Sequence, residues 1–519
     1  MSTEAVDNSA VMQELEAQIA EQTALFNDLK AKKEPFEEVR QKLAELKREY
    51  GRLKAAGQPK KEKKEGGEEQ QAQQPQKKKE RLLLKTAKGT RDYGPSEMFC
   101  RAYIEKIVRD VFTTFGGACL DTPVFERKDV LTDKYGEDSK LIYDLMDQGG
   151  EQLALRYDHT VPLARYLAMM GTAAAGQHKI WQIGKVYRRD NPVMSKGRMR
   201  EFMQADFDIT GVWDSMIPDG EVISLVCSIL SKLEVGEFTI KLNHRKILDG
   251  IFDVCGVPAE KTRTISSAVD KLDKLPWAEV KKEMTEEKGL DPAVADRIGE
   301  YVKHKGGPEL LDLLKADSKL MANKSAAQGI ADMSILFVLL KAYGVVDKIS
   351  FDMSLARGLD YYTGIIYEAI VEASAPPAFK SANALASADA APATPSTPST
   401  SKKPSTGTKD ATDEPEIDES SVGVGSIAAG GRYDNLVGSF IAGANGLDAK
   451  SSNAKEYKKA MAAGTPCVGV SIGMDRIFAL VWPKWVERGA ARGKETMVYV
   501  VSAGDGLLEE RVGLVRELR

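Results

Sequence analysis

Residues 181–210 read WQIGKVYRRD, NPVMSKGRMRE, FMQADFDIT, which is a strand, a basic loop and a second strand. In the second strand Met203, Ala205, Phe207 and Ile209 share one face, and Gln204, Asp206 and Asp208 share the other. Such alternation marks an antiparallel strand with one packed and one wet face. Three polar side chains in a row on the wet face suggest the lining of a pocket. Between the strands lie Arg188, Arg189, Lys196, Arg198 and Arg200. A rigid floor of carboxylates and an amide beside a mobile cationic loop suits a ligand that carries both an ammonium group and phosphates. A surface hairpin with solvated charges would show the same pattern.

Working outward, helical periodicity covers Met98 to Phe115, an extended stretch runs from Ala118 to Phe125, and a strand spans 151–158. A helix follows from Val161 to Met169, opened by Pro162. Residues 245–345 turn helical and rich in Lys, Asp and Glu. Strands return at 349–357, 363–372, 422–430 and 466–472, before a helix at 473–481. Antiparallel strands interrupted by an all-helical block predict an α+β fold, with an antiparallel sheet flanked by helices, and not a doubly wound sheet. Upstream, Phe36, Val39, Leu43, Leu46, Tyr50 and Leu53 form a heptad seam; Met12, Leu15, Ile19, Leu25 and Leu29 form an earlier helical pattern, and Pro35 stands between them. These predict a two-helix hairpin. Its basic residues either solvate it or bind RNA or a partner helix weakly.

The chain therefore divides into a helical hairpin (1–56), a disordered linker (57–82), a first part of the core (83–244) and a helical insertion (245–345). A second part of the core (346–372), a low-complexity insertion (373–421), a third part (422–490) and the incomplete start of an α/β domain (491–519) complete it.

A net charge of −4 over 519 residues gives no global field that would attract nucleic acid. The five cysteines form no CxxC pair, and the four histidines are dispersed, which argues for a reducing compartment and against a zinc site. No apolar run approaches the roughly 20 residues of a membrane span, and the start resembles neither a secretory nor a transit signal. The expected location is cytoplasmic, with no membrane contact and no bound metal.

Three further clusters are chemically suggestive. SLARGLDYYTG (354–364) sets Arg357 and Gly358 at a strand end before paired tyrosines. AAGGRYDNLVG (428–438) places small residues beside Arg432, where glycines permit either a close approach or a tight turn. GVSIGMDRIF (469–478) is a strand entering a helix with Arg476 in its first turn, a plausible phosphate or nucleotide site. Neither glycine cluster fits a dinucleotide-binding turn.

Taken together, YRRD…GRMREF, LARGLDYYTG, AAGGRYD and GVSIGMDRI resemble the histidyl-tRNA synthetase family, which are class II aminoacyl-tRNA synthetases, and specifically its eukaryotic cytoplasmic type. KGTRDYGPSEM, DTPVFE, KYGEDSKLIYDL and LRYDHTVPLARYLAM add to a likeness covering roughly 83–372 and 422–519. The N-terminal hairpin is similar to the WHEP-type domain of some eukaryotic synthetases, and 491–519 to the start of an anticodon-binding domain.

The resemblance implies a histidine–tRNA ligase that uses ATP and Mg²⁺, acts on histidine and tRNA(His), and forms a homodimer through the DTPVFE region. It implies Arg188 between the histidine carboxylate and the α-phosphate, with Arg357 as a second cation opposite. Arg198 and Arg476 would hold ATP with Arg188. Asp158, Thr160 and Gln204 would surround the α-ammonium, Asp208 would take an imidazole N–H, and Tyr361 and Tyr362 would close the ring pocket. His159, where an aliphatic residue is more usual, reads as a satisfied structural histidine. Other readings are a non-catalytic relative, such as a regulatory subunit of histidine biosynthesis or an uncharged-tRNA sensor, and an interaction protein built around the basic hairpin. Non-catalytic relatives typically lose the arginines or the imidazole pocket, and this sequence retains both.

Overall fold

The structure, a computed structural model, describes residues 14–23, 25, 39, 41–46, 49–50, 84–131, 134–146, 149–171, 176–273, 275–356, 361–372, 425–448, 453–490 and 496–519. The chain divides into two units, Met1–Leu83 and Leu84–Arg519. In the first, residues 14–23 and 41–46 are helical, and the Tyr50 hydroxyl donates to Glu16, joining the two heptad-bearing stretches. The turn at Pro35, the linker 57–82, Arg357 with its neighbours 358–360, and the 373–421 insertion lie outside the described residues.

The second unit is built on eleven strands among the described residues. These are β1 (Ala118–Cys119), β2 (Phe125–Arg127), β3 (Leu153–Leu155), β4 (His178–Tyr187), β5 (Glu201–Thr210), β6 (Phe238–His244), β7 (Lys305–Gly306), β8 (Ile349–Asp352), β9 (Ile365–Val371), β10 (Ala428–Arg432) and β11 (Cys467–Gly473). Nine form one sheet in the order β1-β4-β5-β11-β10-β9-β6-β8-β7, and β2 pairs with β3 separately. From β4 to β6 every neighbour is antiparallel, with parallel pairing only at β1–β4 and β6–β8. The α+β expectation holds. The strand at β6 and the helix Ile217–Lys232 were not among the predicted elements.

The packed face of β5 behaves as its alternation predicts. Ala205, Phe207 and Ile209 are buried with Val108, Phe112 and Val226 of the helices Pro95–Thr114 and Ile217–Lys232, and the Phe112 and Phe207 rings lie 5.3 Å apart. The other face departs from expectation. It is not wet: Gln204, Asp206 and Asp208 are all buried, under a second core that includes Tyr135, Tyr157, Tyr361 and Tyr433. Polar side chains are stable there because they bond one another.

The 245–345 block shares one hydrophobic core with the sheet, since Ile247, Leu248, Met333 and Leu336 cluster with Ile240, Leu242 and Phe351. It also supplies β7, which extends the sheet beyond β8. The helix Lys324–Ala342 is, among the described residues, long and apolar enough to cross a membrane, which corrects the expectation that no stretch approaches that length. Much of its apolar surface is core, including Ile330, Met333, Leu336 and Leu340. Gly329 brings it against the helix Arg245–Cys255, where an added Cβ would stand 2.8 Å from Ile247.

At the C-terminal end Leu508–Leu518 is a helix, and 496–503 form no strand. Met497, Val498, Tyr499 and Val501 are exposed there. A strand needs a neighbour to satisfy its backbone, and none of the described strands pairs with this stretch.

Candidate active site

Strand register assembles the polar floor. Gln204, Asp206 and Asp208 of β5 stand opposite Gly473, Ser471 and Gly469 of β11. Ser471 donates to Asp206 Oδ2 at 2.6 Å. The Gln204 amide nitrogen lies 2.9 Å from Asp206 Oδ1, and Gln204 Oε1 accepts from Arg188 Nη2 at 3.2 Å. Gly469 is required by the third pair, because a Cβ there would sit 1.8 Å from Asp208 Oδ1. The space that glycine leaves is filled by the aspartate.

The walls come from distant parts of the chain. The Tyr433 hydroxyl donates to Asp208 Oδ1 at 2.5 Å. Its ring meets Tyr361 at 5.8 Å, and Tyr361 meets Tyr362 at 5.0 Å. Asp158, in the turn before the helix Thr160–Met170, accepts from Tyr135 at 2.8 Å, the Val161 backbone N–H at 3.1 Å and Tyr361 at 3.4 Å. Thr160 is buried and hydrogen-bonds Tyr361. Arg188 donates through Nε to the Tyr157 carbonyl at 3.1 Å and lies 4.3 Å from the centre of the Tyr157 ring. Contacts thus link Arg188, Gln204 and Asp206 in one chain, and Asp208, Tyr433, Tyr361 and Asp158 in a second beside it.

Burial governs the charges. It raises Asp158 above the ordinary carboxylate range and lifts Asp208 to about 7, with the Tyr433 hydrogen bond pulling Asp208 partly back. Asp206 is pushed well up by burial and then by the negative charge of Asp208. The floor therefore holds two buried carboxyls side by side, both raised above the ordinary carboxylate range.

At the far end Arg476 occupies the first turn of the helix Met474–Glu487, just after Gly473, the partner of Gln204 in the sheet. It donates to the Ser426 carbonyl. The adjacent Asp475 is buried and accepts from Tyr93 at 2.5 Å, from Arg101 and from the Met203 N–H at 2.7 Å. Gly197 lets the basic loop lie on this turn, since a Cβ would meet the Asp475 carbonyl oxygen at 2.5 Å. Arg198 is paired with Asp190 at 2.5 Å.

Of the residues singled out from the sequence, Arg188, Asp158, Thr160, Gln204, Asp208, Tyr361 and Tyr362 lie in the same region of buried polar and aromatic side chains. Arg476 lies beyond Gly473 at its end, Arg198 sits on the loop, and Arg357 is outside the described residues. Asp206 was read only as part of the polar face, and Tyr433 and Gly469 were not singled out, although each lies in a quoted stretch. Arg432 does not belong to the pocket, because it is bonded to Asp219 and Asp434. The His159 ring is buried, and it faces the backbone of Gly184 and Gln204 without close hydrogen-bond geometry at either nitrogen. Burial, then the nearby Arg156 charge, holds it neutral, with its pKa lowered to about 3. Among the described residues no group of three or more His, Cys, Asp or Glu side chains is arranged to hold a metal ion.

A family model described as histidyl-tRNA synthetase matches residues 89–380, more than half of the chain. The chain belongs to the histidyl-tRNA synthetase family. It is 50% identical to a histidine–tRNA ligase of Danio rerio over 437 residues, which is 84% of this chain and 75% of that protein. It is 45% identical to the mitochondrial histidine–tRNA ligase of Homo sapiens, again over 84% of this chain and 74% of that protein. The crystal structure of histidyl-tRNA synthetase from Nostoc sp. PCC 7120 matches with a TM-score of 0.61 and 26% identity, covering 84% of each chain. In this histidyl-tRNA synthetase family member, the polar floor and its tyrosine walls are therefore the natural candidate for the amino-acid site.

Proposed function

We infer that this chain is a histidine–tRNA ligase. It joins histidine to ATP and passes the histidyl group to the 3′ end of tRNA(His), for use in protein synthesis. In the first step a carboxylate oxygen of histidine forms a bond to the α-phosphorus, and the bond to the bridging oxygen breaks, releasing pyrophosphate. In the second a hydroxyl of the terminal ribose attacks the histidyl carbonyl, and AMP leaves. The first step gathers negative charge at the α-phosphate, so it is accelerated by fixed cations and by orientation.

In this reading Arg188 holds both the histidine carboxylate and the α-phosphate. Its bonds to Tyr157 and Gln204 fix the guanidinium before substrate arrives. Arg357 supplies a second cation, and Arg198 and Arg476 bind the remainder of ATP. Asp158, Thr160 and Gln204 receive the α-ammonium. Mg²⁺ enters with the pyrophosphate end of ATP, as part of the substrate. Tyr361 and Tyr362 close over the imidazole, and Asp208 accepts one of its N–H groups.

The observation that carries the reading is Asp208, a buried acceptor packed into the space that Gly469 leaves, bonded by Tyr433 and walled by tyrosines. A site that must pair an imidazole N–H rejects apolar amino acids, because its own buried acceptor would be left unpaired. Exposed Val124 and Phe125 support pairing of two copies through the DTPVFE segment. We assign the chain to the cytoplasm, in keeping with five cysteines that are all free; a mitochondrial relative makes fractionation of a tagged chain the deciding measurement. The hairpin 1–56 acts as an accessory, so removal of residues 1–80 leaves amino-acid activation intact. ATP–pyrophosphate exchange across all twenty amino acids tests the whole proposal. Exchange with histidine alone is expected, and exchange independent of histidine would overturn it.

A further inference from the structure

One buried ion pair outside the pocket is not used by the chemistry above. Asp219, in the first turn of the helix Ile217–Lys232, is fully buried and takes a two-point contact from Arg432, with Nε to Oδ1 at 2.9 Å and Nη2 to Oδ2. The third guanidinium nitrogen, Nη1, reaches Asp434 at 3.1 Å. The backbone around this pair holds two segments of the pocket wall. The Arg432 carbonyl accepts from the Thr363 N–H at 2.7 Å, and the Thr363 hydroxyl accepts from the Asp434 N–H at 3.1 Å. Gly364 lies flat on the arginine stem, where a Cβ would stand 2.8 Å from Cδ. The neighbouring Tyr433 N–H bonds the Cys467 carbonyl at 2.7 Å. Gly431, on the other side of Arg432, is covered by the Tyr362 ring, with a Cβ position 2.8 Å from Cδ1.

We propose that the Asp219–Arg432 pair is a clamp that sets specificity for histidine from outside the pocket, by fixing Tyr433 against Asp208 and Tyr361 and Tyr362 beside them. Arg432 and Asp219 are positioning residues that touch no substrate. The chain direction makes this work: Arg432 turns its side chain toward the helix, and the next residue turns its phenol toward the floor. A planar two-point pair resists rotation about the strand end, which a point charge does not. The inference rests on the histidine-site reading above.

Two variants test it in the full-length chain, Asp219→Asn and Arg432→Lys, each measured alone and combined with Tyr433→Phe by histidine-dependent ATP–pyrophosphate exchange from pH 6 to 9. Asp219→Asn keeps the shape of the helix turn and leaves Arg432 its contact to Asp434. Arg432→Lys keeps a charge facing Asp219 but loses the two-point geometry. Thermal melting identifies which variants are folded, and either one suffices. The expected result is at least a tenfold rise in KM for histidine with KM for ATP within twofold. The pH at which KM for histidine breaks should move upward, as is also expected when the Tyr433 bond to Asp208 is lost. Combined with Tyr433→Phe, the clamp variants should add less than threefold, because they act through the same phenol.

An unchanged KM for histidine and pH break in a folded variant would overturn the clamp, as would full additivity with Tyr433→Phe or an equal rise in KM for ATP. If both variants fail to fold, the pair is a stability element and the inference is likewise overturned. Should the wild-type chain fail to activate histidine, the histidine-site reading itself fails, and that outcome is visible before any variant is made.

Discussion

The phenol of Tyr433 stands 2.5 Å from Oδ1 of Asp208 and donates to it, although 225 residues separate the two in sequence. The bond points one carboxylate lone pair at the tyrosine; in the proposed histidine site the carboxylate would also take the imidazole N–H. A hydrogen bond to a charged group contributes roughly 1.5–3 kcal/mol. Tyr433→Phe is therefore expected to raise KM for histidine by about tenfold or more, with kcat in ATP–pyrophosphate exchange much less affected. A KM unchanged within twofold would show that Tyr433 does not tune the acceptor.

Asp208 itself gives a prediction about pH. Burial raises its carboxyl to about 7, so the protonated form, which offers the imidazole N–H a poorer acceptor, is populated below neutrality. KM for histidine should fall as pH rises from 6 to 8 and then level off, and Asp208→Asn should flatten that profile while weakening selectivity against other amino acids. The effect on stability has the opposite sense. A carboxyl with a raised folded-state pKa binds more protons folded than unfolded between its ordinary value and about 7, so stability falls as pH rises through that window. Asp208→Asn should raise the melting temperature at pH 8 and lose that advantage toward pH 4. Melting curves at the two pH values check the sign.

Much of this was legible from local pattern. The hairpin at 181–210 carries its own period, and the basic loop and the arginine in the first turn of Met474–Glu487 are read from single stretches. What could not be read was set by register between distant strands. Gly469 looked like one of several permissive glycines until β5 and β11 brought it opposite Asp208. Tyr433 was overshadowed by the arginine before it, and Asp219 lies 213 residues from that arginine. The polar face of β5 was expected to be wet because alternation identifies two faces but not what covers the second. The β-prone stretch at 497–504 forms no strand for the converse reason, since β propensity without a pairing edge is not enough.

Gly469→Ala isolates the space rather than the charge. Its Cβ would stand 1.8 Å from Asp208 Oδ1, far inside contact distance, so the carboxylate or the strand must move. Histidine-dependent exchange should fall by at least a hundredfold, a loss of roughly 3 kcal/mol in kcat/KM. Retained kcat/KM in a soluble variant would mean that the carboxylate has room elsewhere.

Arg188 is held by the Tyr157 carbonyl and by Gln204, and lies over the Tyr157 ring. A lysine keeps the charge but cannot make the same fork of contacts. Arg188→Lys should lower kcat for adenylate formation by about 10²–10³, the range seen when one transition-state donor is removed. Single-turnover measurement with saturating histidine and ATP separates this from weaker binding. A rate within threefold of wild type would move the catalytic cation elsewhere.

Asp475 offers a different test, because it ties the helix turn proposed to hold ATP to the floor proposed to hold the amino acid. Its carboxylate accepts from Tyr93, Arg101 and the Met203 N–H, and Met203 directly precedes Gln204 in β5. Arg476 follows it in the same helical turn, so the network fixes both the start of that helix and the register of the floor. Asparagine in its place keeps one carbonyl acceptor and turns an N–H₂ group toward donors, leaving a buried donor without a partner. Asp475→Asn should therefore raise KM for ATP and KM for histidine together, whereas Tyr433→Phe raises KM for histidine alone. Both constants measured side by side decide the matter, since an effect confined to ATP would mean that Asp475 acts on Arg476 only and that the floor is held in register by its strands.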